Sequence, residues 1–243
     1  MMSRLKNAIR QFLGIPPQGY QENCFFPAGW GQRERGYFNR EAKAYLFRAI
    51  MTFFSTNSVP GDYFEFGCCG AYTMRMAWDY TKLLLPEMRY FGFDSFAGFP
   101  EVEGIDLGHW KKGDLAMSED DFRQACVLHG MPEGKLATVK GFFADTLTAP
   151  HTKQQLAGRR AAIIFVDVDV YSAARAVLEF IPPYLQRGTI IVFDDWNCFY
   201  ADDSLGERRA WREFTMAHPE ITWTPYVSTH MAQSFICQTP SIS

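Results

Sequence analysis

Two uninterrupted apolar runs, separated by a helical pattern, dominate the second half of the chain. Residues Ala161–Val166 and residues 189–193 are of strand length and carry almost only apolar side chains. Continuous rather than alternating hydrophobicity is typical of parallel strands that helices cover on both faces. Between the two runs, residues 173–185 have apolar side chains at helical spacing, and Gly188 stands where a helix-to-strand turn needs it. The pattern predicts a strand–helix–strand unit within a parallel sheet.

The same alternation of strand-length and helix-length patterns extends over most of the chain. Further strands are predicted at residues 62–66, 89–93, 136–140, 221–226 and 231–238. Helices are predicted at residues 41–54, 71–84 and 207–217 and after the N-cap residue Ser118. The last two strands are joined by a turn short enough for a hairpin. We therefore expect an α/β fold with a seven-stranded, mostly parallel sheet, helices on both faces and a C-terminal antiparallel hairpin.

The first part of the chain follows a different pattern. Residues 1–17 form a short basic amphipathic segment, which we expect to dock on its own domain or on a partner subunit, so a homo-oligomer is left open. Residues 16–40 are rich in Gly, Pro and aromatic residues with little periodicity, which predicts a loop or lid. We therefore divide the chain into an N-terminal helical and aromatic lid region, residues 1–58, and a main α/β domain, residues 59–243.

Composition excludes several classes of protein. The chain has 243 residues, of which 47% are hydrophobic, enough for one large domain. A net charge of −3 argues against a dedicated nucleic-acid binder. No apolar run reaches the roughly 20 residues needed to span a membrane. The six cysteines lack zinc-site spacing and adjacent Cys68 and Cys69 would form an awkward disulfide, so we expect reduced thiols and a cytoplasmic location.

Acidic residues follow each of the two apolar runs. Asp167 and Asp169 come after the first run, and Asp194 and Asp195 come after the second. The carboxyl ends of parallel strands share one edge of a sheet, where ligands bind, and clustered carboxylates repel one another unless a cation joins them. Oxygen ligands without a Cys/His set favour Mg²⁺, Mn²⁺ or Ca²⁺ over zinc. The alternative is that these acids only cap helices; because they form two pairs, we favour a divalent-metal site.

A glycine turn and a second strand-end acid predict a nucleotide site. The strand at residues 62–66 runs into Gly67-Cys68-Cys69-Gly70 and then into a helix, a unit that can cradle a nucleotide. Asp94 ends the next strand, where a ribose diol is typically held. The alternative is that the glycines serve only the bend and that Asp94 caps a turn.

After the third strand, Phe142 or Phe143 either covers a planar base or belongs to the core.

A second long stretch without periodicity, residues 97–117, follows the strand that ends in Asp94. It is polar and aromatic and contains His109 and Trp110. A loop of this length in a compact domain is usually functional or disordered. The sequence does not assign it a role.

Five motifs occur in an order that is characteristic of a known family. They are VPGD at residues 59–62 with EFG at 65–67, FDSFAGFP at 93–100, GFFADTL at 141–147, DVDVY at 167–171, and Asp194-Asp195. Together they resemble the macrocin O-methyltransferase (TylF-like) group of class I S-adenosylmethionine (SAM)-dependent methyltransferases. The resemblance covers about residues 60–196 and implies a Rossmann-like sheet, with residues 59–243 as the SAM-dependent methyltransferase domain.

The resemblance also implies roles for individual residues. Those that would bind SAM are Glu65, Gly67, Asp94, Ser95 and Phe96. To these the glycine turn adds Gly70, and the position after the third strand adds Phe142. Those that would ligate Mg²⁺ are Asp167, Asp194 and Asp195. Asp169 would be the general base on a hydroxyl of a small-molecule acceptor, which is a sugar or a glycosylated compound.

Two other functions are compatible with the same residues. Asp167-Val168-Asp169 is also a DxD pattern, able to hold a metal and a nucleotide sugar in a glycosyltransferase. Against this, the glycine turn and Asp94 precede it in the methyltransferase order, and no separate acceptor domain is visible. The second of these functions is that of a catalytically silent SAM-binding module.

Overall fold

A single seven-stranded sheet organises the protein. The computed structural model describes residues 32–101, 106 and 110–239, and side chains from residue 39 onward. The strands are β1 (Asp62–Phe66), β2 (Tyr90–Asp94), β3 (Leu136–Lys140), β4 (Ala161–Val166), β5 (Ile190–Phe193), β6 (Trp223–Ser228) and β7 (Gln233–Cys237). Their order is β3-β2-β1-β4-β5-β7-β6, and β7 runs antiparallel to both β5 and β6. The predicted Rossmann-like sheet with its C-terminal hairpin is confirmed.

Seven α-helices flank this sheet within the described ranges. They are α1 (Gln32–Asn57), α2 (Tyr72–Thr81), α3 (Glu119–Leu128), α4 (Phe143–Thr146), α5 (Pro150–Gln155), α6 (Tyr171–Phe180) and α7 (Gly206–Ala217). The predicted cap of α3 is confirmed, because Ser118 Oγ accepts a hydrogen bond from the Asp121 N–H at 3.1 Å. None of the helices in the described part of the chain is long and apolar enough to cross a bilayer. The five cysteines that the structure describes all carry free thiols.

Helix α1 corrects part of the predicted N-terminal loop. Residues 32–40, expected to be irregular, form the first turns of α1. Gln, Arg and Glu are good helix formers, and a single Gly36 costs only about 1 kcal/mol in a helix that tertiary packing stabilises further along. The predicted amphipathic segment at residues 1–17 and the aromatic stretch up to residue 31 lie outside the described residues.

Strand β1 shows why the strands read as continuous apolar runs. Tyr63 faces the layer that contains α1, while Phe64 and Phe66 face the layer that contains α6 and α7, and all three are fully buried. On the α1 side, the Phe47 ring stacks on Phe165 of β4 at 6.1 Å. Both faces of the parallel strands are therefore covered, as the pattern predicts.

The register of four strands aligns the residues at their carboxyl ends. Phe66, the last residue of β1, pairs with the last residue of β4 and with the residue before Asp94, and the last residues of β4 and β5 pair with each other. The residues one position further along the four strands therefore lie side by side in a row, which we call the edge row. In sheet order it consists of Asp94, Gly67, Asp167 and Asp194. The N–H groups of Gly67, Asp167 and Asp194 donate to the adjacent strand at 3.0, 2.9 and 2.9 Å, so the row is continuous.

Gly67 is the edge-row residue that leaves no room for a side chain. Its φ is +83°, and a Cβ there would lie 1.8 Å from the Asp167 carbonyl oxygen. We expect Gly67→Ala to lower the free energy of unfolding by about 2–5 kcal/mol, because a left-handed conformation and forced separation of β1 from β4 add together. Urea denaturation followed by circular dichroism measures this loss.

Gly70 provides the matched control for that substitution. Its φ is +77°, but a Cβ there would meet nothing within 4 Å. Gly70→Ala should therefore cost only the conformational penalty, about 1–2 kcal/mol. Equal losses for the two variants would contradict the close approach of Gly67 to Asp167.

Candidate active site

The four acids that follow β4 and β5 converge at the carboxyl edge of the sheet. One carboxylate oxygen from each of Asp167, Asp169 and Asp195 lies within 4.8 Å of the other two. Asp194 stands outside this group of three, although the edge row places it next to Asp167. We call Asp167, Asp169, Asp194 and Asp195 the acidic cluster.

A lysine from α1 is the cation already present in the acidic cluster. Lys43 Nζ lies 3.1 Å from Asp167 Oδ2 and 2.7 Å from Asp194 Oδ2, and it donates to Thr73 Oγ1 at 3.1 Å. These three contacts use all three N–H donors of the ammonium group. Burial alone would lower the pKa of Lys43, but the attraction of Asp167 and Asp194 outweighs it and raises that pKa well above its usual value. Asp194, predicted as a metal ligand, thus binds Lys43 through Oδ2.

Sequence reasoning missed Lys43, although the helix carries a signal. Phe47, Ile50 and Phe54 form the fully buried stripe of α1, and Lys43 lies one turn before Phe47 on the same stripe. A lone lysine on the apolar face of a helix has to find an acidic partner in the protein. The sequence cannot say which of its acids that partner is.

Asp195 lies on the side of the cluster next to α7. Its Oδ1 accepts a hydrogen bond from Cys198 Sγ at 3.4 Å, and its N–H donates to Glu207 Oε2 at 3.1 Å. Asp195 Oδ2 is buried and has no hydrogen-bond partner among the described residues. Burial, followed by repulsion from Asp167 and Asp194, raises the pKa of Asp195 to about 8. The charged form of this carboxyl therefore requires further positive charge nearby.

The segment that carries Asp169 is held in an uncommon conformation. Asp169 has φ +61°, a left-handed geometry that costs a non-glycine residue about 1–3 kcal/mol unless its surroundings impose it. Just beyond it, the Asp106 carboxylate accepts hydrogen bonds from the N–H groups of Tyr171 and Ser172, at 2.8 and 3.0 Å. Asp106 thereby caps α6 and anchors the segment that presents Asp169. It belongs to the loop at residues 97–117, to which the sequence assigned no role.

On the other side of the edge row, Asp94 joins two turns. Its Oδ2 accepts a hydrogen bond from the Cys68 N–H and its Oδ1 accepts one from the Phe96 N–H, both at 2.6 Å. Burial raises the pKa of Asp94, although these N–H donors favour its charged form. Asp94 thus fixes the glycine turn after β1 relative to the turn after β2.

The remaining predicted SAM residues differ in how they are placed. Gly70 faces open space, and Phe142, 38% exposed, is the N-cap residue before α4. Ser95 Oγ donates to the Gly98 carbonyl at 2.7 Å, and Phe96 is buried against the Phe122 ring. Of the two aromatics that follow β3, Phe142 is therefore available to a ligand.

The Glu65 side chain points into the protein rather than along the edge. It is 1% exposed and accepts a hydrogen bond from the Tyr63 hydroxyl at 2.5 Å. Burial raises the pKa of Glu65 to about 8, against the hydrogen bond from Tyr63, which lowers it. Its role toward SAM stays a prediction. Phe143 is partly buried and packs against the core, edge-on to the Phe66 ring at 6.0 Å.

The sheet order and the edge row together define a class of protein. The chain runs from β1 outward to β2 and β3 and then returns to β4 on the other side of β1. A ligand crevice forms at such a reversal point, beyond the carboxyl ends of the strands. With a glycine turn after β1, an acid at the end of β2 and an antiparallel β7 beside β5, this is the Rossmann-like methyltransferase fold.

The chain belongs to the macrocin O-methyltransferase (TylF) family, whose model matches residues 41–224. This confirms the resemblance found in the motifs. A relative from Streptomyces olivaceus, the 8-demethyl-8-(2,3-dimethoxy-alpha-L-rhamnosyl)-tetracenomycin-C 4'-O-methyltransferase, is 28% identical over 148 residues, which are 58% of this chain and 54% of that enzyme. The match thus spans about half the length of that relative.

Solved methyltransferase structures share the fold. The calicheamicin methyltransferase CalS11 superposes with a TM-score of 0.66 at 21% identity, over 81% of this chain and 79% of CalS11. The O-methyltransferase NovP gives a TM-score of 0.64 at 20% identity, over 82% of this chain and 80% of NovP. TomG from Streptomyces achromogenes, solved in complex with SAM, gives 0.52 at 13% identity, over 83% and 89% of the two chains. At these identities the likeness establishes the fold.

Lys43 should be a major contributor to the stability of the metal-free protein. We expect Lys43→Met to lower the free energy of unfolding by about 3 kcal/mol, because it leaves Asp167 and Asp194 side by side without their counter-ion. Added Mg²⁺ should restore part of this loss. Urea denaturation with EDTA and with MgCl₂ measures both effects.

Lys82→Met is the matched control, because Lys82 pairs with Asp79 at the surface with 36% and 43% of the two side chains exposed. Such exposed pairs contribute about 0–1 kcal/mol. If Lys43→Met is no more destabilising than Lys82→Met, Lys43 is not the counter-ion of the cluster.

Proposed function

We propose that the protein is a SAM-dependent O-methyltransferase that acts on a hydroxyl of a sugar or glycosylated small molecule with the assistance of Mg²⁺. The observation that carries this proposal is the edge row, which sets the glycine turn and Asp94 directly beside the acidic cluster. A cofactor cradle and a group of proton acceptors are thereby adjacent. Methyl transfer to a hydroxyl requires both.

Family membership and the activities of two similar enzymes support a sugar hydroxyl as the acceptor. The relative from Streptomyces olivaceus is a 4'-O-methyltransferase of a rhamnosyl-tetracenomycin. A structure of CalS11, with a TM-score of 0.59, describes it as a TDP-rhamnose 3'-O-methyltransferase. Both act on rhamnose attached to a larger group, so rhamnosylated compounds and nucleotide-linked deoxysugars are the acceptors to test first.

The residues on the cofactor side fit SAM. Gly67 and Gly70 adopt the positive φ that the tight turn needs, and the space in front of Gly70 is open. Asp94 lies at the end of β2, where its carboxylate can hold a ribose diol. SAM supplies an electrophilic methyl group when bound, and the glycine turn and Asp94 would orient it toward the neighbouring acids.

The acidic cluster fits a divalent cation. A carboxylate oxygen of each of Asp167, Asp169 and Asp195 falls within a 4.8 Å span, and Mg²⁺ and Ca²⁺ bind oxygens at about 2.0–2.6 Å. Asp195 Oδ2, buried and without a partner among the described residues, is an oxygen available to such an ion. Mg²⁺ supplies positive charge for the acceptor oxygen when bound. Asp194 retains one oxygen beyond its contact with Lys43 and remains in the proposed ligand set.

We assign the proton transfer to Asp169. Its backbone is fixed between β4 and the capped start of α6, so the carboxylate is presented at a defined position. Burial and then repulsion from Asp195 and Asp167 raise the pKa of Asp169, which makes its anion a stronger base. Lys43 holds Asp167 and Asp194 in place while Asp169 accepts the proton of the acceptor hydroxyl.

Calorimetry distinguishes this proposal from the glycosyltransferase alternative. The full chain should bind SAM with or without Mg²⁺ and should not bind UDP-sugars. Asp94→Ala should weaken SAM binding at least about tenfold, because it removes a charged partner of the ribose and releases the glycine turn. Asp120→Ala, a change at an exposed acid on α3, should leave SAM binding unchanged. Preferential binding of a UDP-sugar would overturn the methyltransferase proposal.

Asp169→Asn tests the proposed base. Methyl transfer from labelled SAM to a panel of rhamnosylated acceptors should fall by about 10²–10⁴-fold, the range for loss of a general base. SAM affinity should not change, because Asp169 is not on the cofactor side of the edge row. Mn²⁺ affinity, measured by electron paramagnetic resonance, should also stay unchanged if Asp169 acts as the base. Loss of a metal ligand would instead weaken Mn²⁺ binding. Unchanged turnover would remove Asp169 from the mechanism.

A further inference from the structure

A fifth carboxylate, which no motif indicates, lies beside the acidic cluster. Glu207 is in the first turn of α7 and is 1% exposed. Its Oε2 accepts a hydrogen bond from the Asp195 N–H at 3.1 Å. Its Oε1 is buried and has no hydrogen-bond partner among the described residues. One oxygen of this carboxylate therefore has a structural contact and the other does not.

The position of Glu207 on its helix makes the burial notable. Ala210, Trp211 and Phe214 form the buried stripe of α7, and Glu207 lies one turn before them on that stripe. An acid in the first turn gains from the helix dipole while still exposed to water, so the dipole alone does not explain a buried one. Taking a carboxylate out of water costs several kcal/mol unless it is paired.

No described cation pairs with Glu207. The three donors of Lys43 are used by Asp167, Asp194 and Thr73. On α7 itself, Arg208 binds Asp203 at 2.7 Å and Arg209 binds Glu213 at 2.8 Å.

The charged groups that act most strongly on Glu207 are all negative. Burial is the largest of the causes that raise the pKa of Glu207. Repulsion from Asp195, Asp194, Asp167 and Asp169, in that order, raises it further. The Glu207 carboxylate thus belongs electrostatically to the acidic cluster.

We propose that Glu207 is a positioning residue of the divalent-cation site, which fixes the Asp195 backbone through Oε2 and adds its negative charge to the cluster through Oε1. The inference rests on the proposed function in one respect, that the cluster holds a divalent cation. It assigns to this chain a site of five carboxylates, with Lys43 as the built-in counter-ion and the divalent ion as the exchangeable one.

Glu207→Gln tests the charge and preserves the shape. The glutamine side-chain oxygen still accepts the Asp195 N–H, but the negative charge is lost. Mn²⁺ affinity, titrated by electron paramagnetic resonance on the full chain, should fall about 10–100-fold, as for removal of other groups that support metal ligands. SAM affinity by calorimetry should stay unchanged.

Two further variants complete the experiment. Glu207→Ala loses both the charge and the contact with Asp195, so it should weaken Mn²⁺ binding at least as much and should also lower the melting temperature. Glu213→Gln changes a half-exposed glutamate on the same helix that binds Tyr171 and Arg209, and it should leave Mn²⁺ affinity at the wild-type value.

The outcomes separate this inference from the proposed function. If the wild type binds Mn²⁺ and Glu207→Gln binds it equally well, the inference is overturned and the metal-assisted transferase stands. If the wild type binds SAM but no Mn²⁺, the metal part of the proposed function fails and this inference fails with it, while SAM-dependent transfer stands.

Discussion

The concentration of negative charge at one edge of the sheet is the constraint on which the site depends. Parallel register places Asp94, Gly67, Asp167 and Asp194 side by side, and two further acids follow in the turns. Carboxylates at these distances and with this degree of burial cannot all ionise unless positive charge balances them. The fold tolerates this arrangement because a lysine from a distant helix reaches into it. Lys43 alone does not balance the negative charge of this arrangement.

Helix α1 links the acid-bearing strands to the rest of the protein. It stacks Phe47 on β4 and, one turn earlier, extends Lys43 over the Phe165 ring, at 5.1 Å from the ring centroid, to the acids beyond it. A hydrophobic contact and an ion pair therefore act on the same helix and the same strand. Because Lys43 also donates to Thr73 at the start of α2, the helix after the glycine turn is connected to the same counter-ion. The glycine turn and the acidic cluster are thus joined by a common contact as well as adjacent.

Much of the architecture could be predicted from the sequence, and the reasons are local. Period-free apolar runs predict buried parallel strands, and strand-end acids and a glycine turn predict which edge carries the chemistry. The family resemblance rests on the same strand ends, and the comparison with known proteins confirms it. The prediction started helix α1 too late, at residue 41. A composition rich in Gly and aromatic residues is a weak guide where tertiary packing stabilises a helix. Strand bounds agree closely, since β-branched and aromatic residues stop abruptly at turn residues.

The sequence by itself determined that four aspartates follow two successive buried strands, because side-chain type and strand length are properties of contiguous residues. Only the tertiary structure decided what those aspartates contact. Lys43 lies 124 residues before Asp167 in the chain, and Glu207 lies 12 residues after Asp195 on a separate helix. Their meeting depends on how α1 and α7 pack against opposite faces of the sheet. Periodicity marks each as a charged residue on a buried stripe, but it carries no information about which distant group completes the pair.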